Sequence, residues 1–470
     1  IIRACPDPAS LADYLISVLE KSPPSVLGVT TWINAYEDMI FILSAVKKKF
    51  PRMLIVGGGY HTTWFEEDFL LHIPRIAGSD NPIFDLIVAG EGEQPVRDLI
   101  SYLRGKKNPH EIAGAIFFRD GQCEKGGAQA FLPLDDESRS PLPDWSCYQD
   151  IERFWPILPV DYSRGCHYHC IMCGHEAMSG SGIRSRRADQ VVSGMERDRL
   201  LFGIRHFRIS SSMFPRARIE EFTKELLSRQ NLRDIRWSCF AKPNDFSRES
   251  DLPLLADMEK SGCEAVFFGI ESGDDQVLAR LGKKTGTDNI RQAVRNVRTT
   301  SIKVVGSFMV GNPLETDETI ARTVSFIEEL QLDSAPSVTL APLPRTELTS
   351  NPEKHGYALH PDWKKALMLS RVEHIQDPDK WTYNLDFYEH KHNGKSFLDY
   401  TKICGRISRE LFQKGVSRIS DEVFLMAHLL CKDPDQVYVE HSTKLKERDM
   451  AFFEQEIRRS WEATKNAAQQ

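Results

Sequence analysis

Cys166, Cys170 and Cys173 fall in one run, Tyr162-Ser163-Arg164-Gly165-Cys166-His167-Tyr168-His169-Cys170-Ile171-Met172-Cys173, while the rest of the 10 cysteines are scattered singly. Thiolates hold iron–sulfur clusters, and a cubane of four irons ordinarily takes four of them. A C-x3-C-x2-C spacing supplies three. The iron left open can bind a small molecule, so the run reads as a catalytic cluster more than an electron-transfer one. Zinc is the alternative. Structural zinc takes four nitrogen or sulfur ligands, usually as two paired sets. Cys239 and Cys263 are single and distant, although His167, His169 or His175 could complete such a site. With no secretory signal in view, three thiols in so short a loop do not read as a disulfide framework.

The run resembles the cluster loop of the radical S-adenosylmethionine (SAM) enzymes. The resemblance continues in Gly262-Cys263-Glu264-Ala265-Val266-Phe267-Phe268-Gly269-Ile270-Glu271-Ser272-Gly273 and in Gly306-Ser307-Phe308-Met309-Val310-Gly311-Asn312-Pro313-Leu314-Glu315-Thr316, which look like later strand motifs of that family in the same order. It implies that Cys166, Cys170 and Cys173 bind a 4Fe-4S cluster whose open iron is chelated by SAM, and that an external donor of flavodoxin or ferredoxin type supplies electrons. An electron from the cluster then breaks the sulfonium bond to give a 5′-deoxyadenosyl radical. The cofactors carry this chemistry, and the protein orients them and excludes solvent.

Further site residues follow by position. Ser210 and Ser212 stand where relatives carry acidic residues that meet the SAM amino group; exposed serines at a loop start are the plainer reading. Lys242 stands near a family arginine and can meet the SAM carboxylate as a point charge. Glu271 is an expected acceptor for the ribose hydroxyls, with a buried structural carboxylate as the alternative. Met172 replaces an aromatic residue beside the adenine, and a flexible thioether can fill that space. In Pro342-Leu343-Pro344-Arg345-Thr346, Arg345 takes the place of a glycine. Arginine adopts positive φ only at a cost, so either the turn differs or Arg345 reaches an anion of the substrate.

These residues need a scaffold. Strands are predicted at Ile157 to Asp161, Ile204 to Ile209, Ile235 to Cys239, Ala265 to Ile270, Lys303 to Val310 and Ser337 to Leu340, each gap being long enough for the crossover helix that parallel strands require. An α/β fold with a parallel barrel or partial barrel is expected. By resemblance it is a partial (β/α)6 barrel over residues 156–348, with the cluster loop at the carboxyl rim of the first strand, where barrel enzymes keep their chemistry. Such an analogy places the site and leaves the substrate open.

Ahead of it, within a domain over residues 1–132, the chain from Ser22 to Gly92 alternates apolar runs with amphipathic stretches, the pattern of a parallel sheet. Strands are predicted at Val26 to Thr30, Met53 to Val56, Asp85 to Val88 and Ala115 to Arg119, the last followed by an Asp120-Gly121 turn. Helices are predicted at Tyr36 to Lys49 and Gln94 to Gly105. Two strand ends carry Thr30-Thr31-Trp32 and Gly57-Gly58-Gly59-Tyr60-His61. Ligands of open α/β sheets lie beyond such ends, although three glycines are more often a turn. Together with Ala89-Gly90-Glu91-Gly92, the series resembles the Rossmann-like cobalamin-binding domain that precedes many radical SAM domains. That resemblance makes Thr30, Thr31, Trp32, Gly57, Gly58, Gly59, His61, Gly90, Glu91 and Gly92 expected cobalamin contacts. The Asp-x-His-x-x-Gly motif that ligates cobalt in some cobalamin proteins is absent, and the domain's first strand and helix are expected before Ile1. A domain of this fold without cobalamin is the alternative.

Residues 133–155, with Pro133, Pro141 and Pro143, read as a linker. After Asn351 the strand pattern stops and residues 349–470 read as a helical cap, with Cys404 and Cys431 as core thiols. The chain has 470 residues and a net charge of −7, without the basic footprint of a nucleic-acid binder, and shows no apolar run long enough to span a membrane. The expectation is a cytoplasmic, cobalamin-dependent radical SAM methyltransferase acting on an unactivated carbon of a small metabolite or peptide. Cyclisation, rearrangement or another group transfer is the second reading, and an iron–sulfur electron carrier the third.

Overall fold

The computed structural model describes residues 7–32, 36–77, 82–119, 121–129, 131–148, 151–370, 385–447 and 449–466. Asp120 of the predicted hairpin turn and Ile1 lie outside them. The chain divides into two compact units, one comprising Ile1–Leu132, Met172–Gly180 and Ala341–Lys391, the other Pro133–Ile171, Ser181–Leu340 and His392–Gln470. The α/β fold class is as expected.

In the first unit, β1 (Val26–Thr30), β2 (Leu54–Gly58) and β3 (Leu86–Val88) are parallel neighbours in that order, extended by the antiparallel β4 (Ala115–Arg119) and β5 (Gln122–Lys125). All of β3 is buried, and Leu86, Val88, Leu99, Ile112, Ala115 and Phe117 form one core, as a strand covered on both faces requires. No helix is predicted between Ile1 and β1, yet α1 (Pro8–Lys21) is there, started by the Asp7 carboxylate accepting from the Ala9 and Ser10 amides. The helix α2 (Tyr36–Lys49) coincides with its prediction; Glu37 and Asp38 open it and three lysines close it, complementing its dipole. Lys47 Nζ donates to the Asp85 carboxylate at 2.7 Å, tying α2 to the start of β3. Short α3 (Tyr60–Phe65) follows the three glycines, then come α4 (Glu67–Ala77), α5 (Glu93–Leu103) and, from the later segment, α6 (His175–Ser179).

In the second unit, β6 (Ile157–Val160), β9 (His206–Ile209), β10 (Arg236–Ala241), β11 (Cys263–Glu271), β12 (Lys303–Val310) and β13 (Ser337–Thr339) are parallel neighbours in chain order, a curled half barrel; β7 (Ser163–Arg164) and β8 (Arg184–Ser185) pair separately. The intervening helices, among them α7 (Ala188–Phe202) and α8 (Arg216–Ser228), cover the outer face. Strand alternation explains the layering: Trp237 is fully buried and meets Phe222 of α8 edge-on at 5.1 Å, while Phe240 points inward beside Phe267 at 5.5 Å. Inside, Ala265, Phe267 and Val305 pack against Ile419, Phe424 and Leu425.

Two expectations for the C-terminal part need correction. The strand pattern does not stop at Asn351: Tyr357–Leu359 pairs antiparallel with Tyr388–His390. Each strand is only three residues long, too short for a period-two signal, and rings rather than alternation hold the pair, Tyr357 lying 4.9 Å from Tyr388. Cys404 is buried, with burial pushing its thiol up to about 11, but Cys431 is exposed, at a left-handed residue beyond the helix Asp421–Leu429.

Candidate active site

The run holding the cysteines leaves β6 at Asp161 and is clamped at its root. Arg186 is 1% exposed; its guanidinium donates to the Asp161 carboxylate at 3.0 Å, the Asp161 carbonyl at 2.8 Å and the Ser140 carbonyl at 2.5 Å. Burial alone would raise the Asp161 carboxyl, but Arg164 and Arg186 outweigh it and hold it below the usual range. Ser163 N donates to Ser211 Oγ at 3.0 Å and Ser163 Oγ to the Met213 carbonyl at 2.6 Å. The far side is tied by the Ile171 amide to the Leu281 carbonyl at 3.1 Å. There the backbone must come close: Gly282 has φ 75°, and a Cβ on it would lie 3.0 Å from the His169 carbonyl oxygen.

Cys166, Cys170 and Cys173 are half-buried. Cys166 and Cys170 belong to the second unit, Met172 and Cys173 to the first, where Met172 is half-buried. Among the described residues no three His, Cys, Asp or Glu side chains converge as a single metal ion requires.

Around this loop, Lys242 Nζ is buried without a hydrogen-bond partner and sits over the Tyr168 ring at 2.7 Å from its centroid. Burial pushes its ammonium down to about 8. Glu271 ends β11 at a register shift with φ 72°, an unfavourable conformation for a residue with a Cβ, of the kind that gathers at functional sites. One of its oxygens accepts from Lys283 Nζ at 2.9 Å, leaving the second as an acceptor. Ser210 is exposed at the end of β9 and Ser212 half-buried. Arg186, Ser211 and Lys283 were not legible as site residues in the sequence.

At the rim beyond β12, Glu315 is 2% exposed and accepts from the Gly311 amide at 2.5 Å and Asn312 Nδ2 at 3.1 Å. Burial pushes its carboxyl up to about 7 despite these bonds. A carboxyl raised above its unfolded value of about 4.3 contributes stability fully present below that value and lost as pH rises through the folded one. Wild-type urea midpoints should therefore fall relative to those of Glu315→Gln between about pH 5 and about pH 8; parallel curves would contradict the assignment.

In the first unit the three predicted loops come together. The Thr31 amide and hydroxyl both donate to the Gly58 carbonyl, at 2.8 and 3.0 Å, and the Gly90 amide donates to Thr63 Oγ1 at 2.8 Å. Thr31 is fully buried, Glu91 nearly so, and Trp32 is 55% exposed. Gly57 packs on Phe84, Gly59 caps α3 with φ 103°, and a Cβ on Gly58 or Gly92 would meet nothing within 4 Å. Trp32, Tyr60, Trp64 and His175 form a chain of rings centred on Tyr60, with centroids 5.3 to 5.9 Å apart, and Trp64 Nε1 donates to the carbonyl of Gly174, the neighbour of Cys173.

His61 is not on this surface. One helical step turns it away from Tyr60 into a cage of Tyr36, Phe65 and Phe69, where burial pushes its imidazole down to about 3. Arg345 keeps the glycine's turn, with φ 62°, and the anion it reaches is the Glu66 carboxylate, alongside the Thr63 carbonyl at 2.9 Å.

Residues 160–327 match the radical SAM superfamily. An uncharacterised methyltransferase of Pyrococcus horikoshii is 24% identical over 362 residues, 76% of this chain and 76% of its own. The anaerobic magnesium-protoporphyrin IX monomethyl ester cyclase of Cereibacter sphaeroides is 25% identical over 72% of this chain and 56% of its own. A solved structure of TsrM, a radical SAM methyltransferase from Kitasatospora setae with cobalamin and a 4Fe-4S cluster bound, shares the fold with a TM-score of 0.65 at 16% identity, covering 96% of this chain and 91% of its own.

Proposed function

We propose, from the premise that residues 160–327 are a radical SAM domain, that the chain is a cobalamin-dependent radical SAM enzyme methylating an unactivated carbon of a small metabolite or peptide. The observation that carries the reading is the position of three closely spaced cysteines on the segment leaving the first strand of a parallel half barrel, the rim at which such barrels do chemistry. When bound, the cluster supplies the electron that cleaves SAM and the corrinoid supplies the methyl group.

The chain's own residues hold and orient these groups. Cys166, Cys170 and Cys173 ligate the cluster, and the Lys242 ammonium, which has no hydrogen-bond partner, meets the SAM carboxylate. The second oxygen of Glu271 takes the ribose, Ser210 and Ser212 the amino group, and Met172 faces the adenine. Residues 1–132 are the cobalamin-type domain, 156–348 the barrel and 349–470 the cap. Open backbone at Gly58 and Gly92 and the exposed Trp32 ring suit a flat corrin. A flavodoxin- or ferredoxin-type donor in a reducing cytoplasm supplies electrons; no described helix is long and apolar enough to cross a membrane.

The cyclase among the relatives favours one second reading, a radical outcome without methyl transfer. Two measurements separate these. Hydroxocobalamin should bind the anaerobic protein stoichiometrically, and Gly58→Leu, whose side chain enters open space, should weaken it at least about tenfold, ~1.4 kcal/mol, with iron content unchanged. Failure of wild type to bind removes cobalamin from the account. In turnover, S-adenosylhomocysteine and 5′-deoxyadenosine should form in equal amounts; 5′-deoxyadenosine alone selects the second reading.

A further inference from the structure

A cavity of about 480 Å³ opens on the inner face of the half barrel at its β6 edge. One wall is made by Ile157 and Pro159 of β6 and by Ser210 just beyond β9; facing it are the rings of Trp145, Tyr148 and Phe154. The size lies within the range of small-molecule sites.

Two features set this cavity apart from leftover space. Its rings are not packed away: Tyr148 is 48% and Phe154 52% exposed, although Tyr148 meets Trp145 at a tilt and Phe154 edge-on, at centroid distances of 5.8 and 5.7 Å. The backbone carrying the last of these rings is anchored by Trp461, whose Nε1 donates to the Phe154 carbonyl at 2.9 Å. The cavity also reaches the carboxyl rim of the sheet, because Ser210, which lines it, lies just beyond β9 and its amide donates to the carbonyl of Val160, the last residue of β6, at 2.9 Å.

We propose that this cavity binds the flat apolar body of the substrate, an aromatic or similarly planar hydrocarbon group lying against Trp145, Tyr148 and Phe154, with its reacting carbon toward the Ser210 end. This rests on the radical reading above and names its substrate class. Planar apolar groups gain contact area and ring–ring interaction from such a wall.

The test uses the neutral planar fluorophore prodan, detected by energy transfer from Trp145 and Trp155 in the full-length, cluster-loaded protein. Saturable binding is expected, with Tyr148→Ala and Phe154→Ala each weakening it roughly tenfold and Phe412→Ala, an exposed ring elsewhere on the second unit, leaving it unchanged. Because both target rings are half exposed, neither change should prevent folding, and thermal midpoints check this. Absence of saturable binding, or equal affinity in all variants, overturns the inference. Repeating the titration on the Cys166→Ala, Cys170→Ala, Cys173→Ala triple variant separates the two readings. Binding should persist there, since no lining residue is a cluster ligand, so failure of the radical reading would show in iron and SAM cleavage while prodan binding stood.

Discussion

Replacing any one of Cys166, Cys170 or Cys173 with alanine removes most of the bound iron and all cleavage of SAM, whereas Cys404→Ala leaves both intact. The contrast follows from placement. The three thiols are half-buried on one loop, and a four-iron cubane held by three thiolates has none to spare. Cys404 is 8% exposed on an apolar helix face, its thiol pushed up by burial, so it serves packing. Iron and acid-labile sulfide per chain, with 5′-deoxyadenosine formed under reducing conditions, read the result. A single alanine variant keeping its full iron content would break the assignment.

The largest effect on stability is expected from Arg186→Met. The buried guanidinium gathers Asp161, Ser140 and the Leu134 and Pro141 carbonyls, and methionine fills the space without one donor. Breaking a buried ion pair by removing one partner costs about 3–5 kcal/mol; Asp161 keeps Arg164 at 2.8 Å, which favours the lower end. Urea unfolding near neutral pH measures it. Because the paired Asp161 carboxyl is held below its ordinary value, its contribution is present above about pH 4 and lost as pH falls through the folded value. The gap between wild type and variant should therefore narrow in acid. Arg186→Lys keeps the charge but not the fork and should fall between the two.

What was legible in the sequence was periodic or closely spaced. Lys303–Val310 and Tyr36–Lys49 appear at their predicted bounds, because a buried strand and an amphipathic helix each repeat a pattern over several residues. The cysteine run announces itself by spacing. Arg186 did not, since in Arg184-Ser185-Arg186-Arg187 nothing local marks which arginine turns inward; the neighbours that bury it come from residues 134–161. His61 misled for a related reason: adjacency to Gly59 suggests a loop contact, but a helix begins at Tyr60 and turns His61 into the core. Arg345 was legible as a conflict between a turn and its residue, and the anion that resolves it, Glu66, lies far away in sequence.

The measurement that bears most directly on the central claim is the electron paramagnetic resonance spectrum of the anaerobically reduced protein before and after addition of SAM. Three thiolates leave one iron without a protein ligand, and SAM bound there alters the electronic environment of the cluster. The account predicts an iron–sulfur signal whose g-values shift on addition of one equivalent of SAM and do not shift in Lys242→Met at the same concentration. A signal unchanged by saturating SAM would mean that the fourth iron is already ligated, and would contradict it.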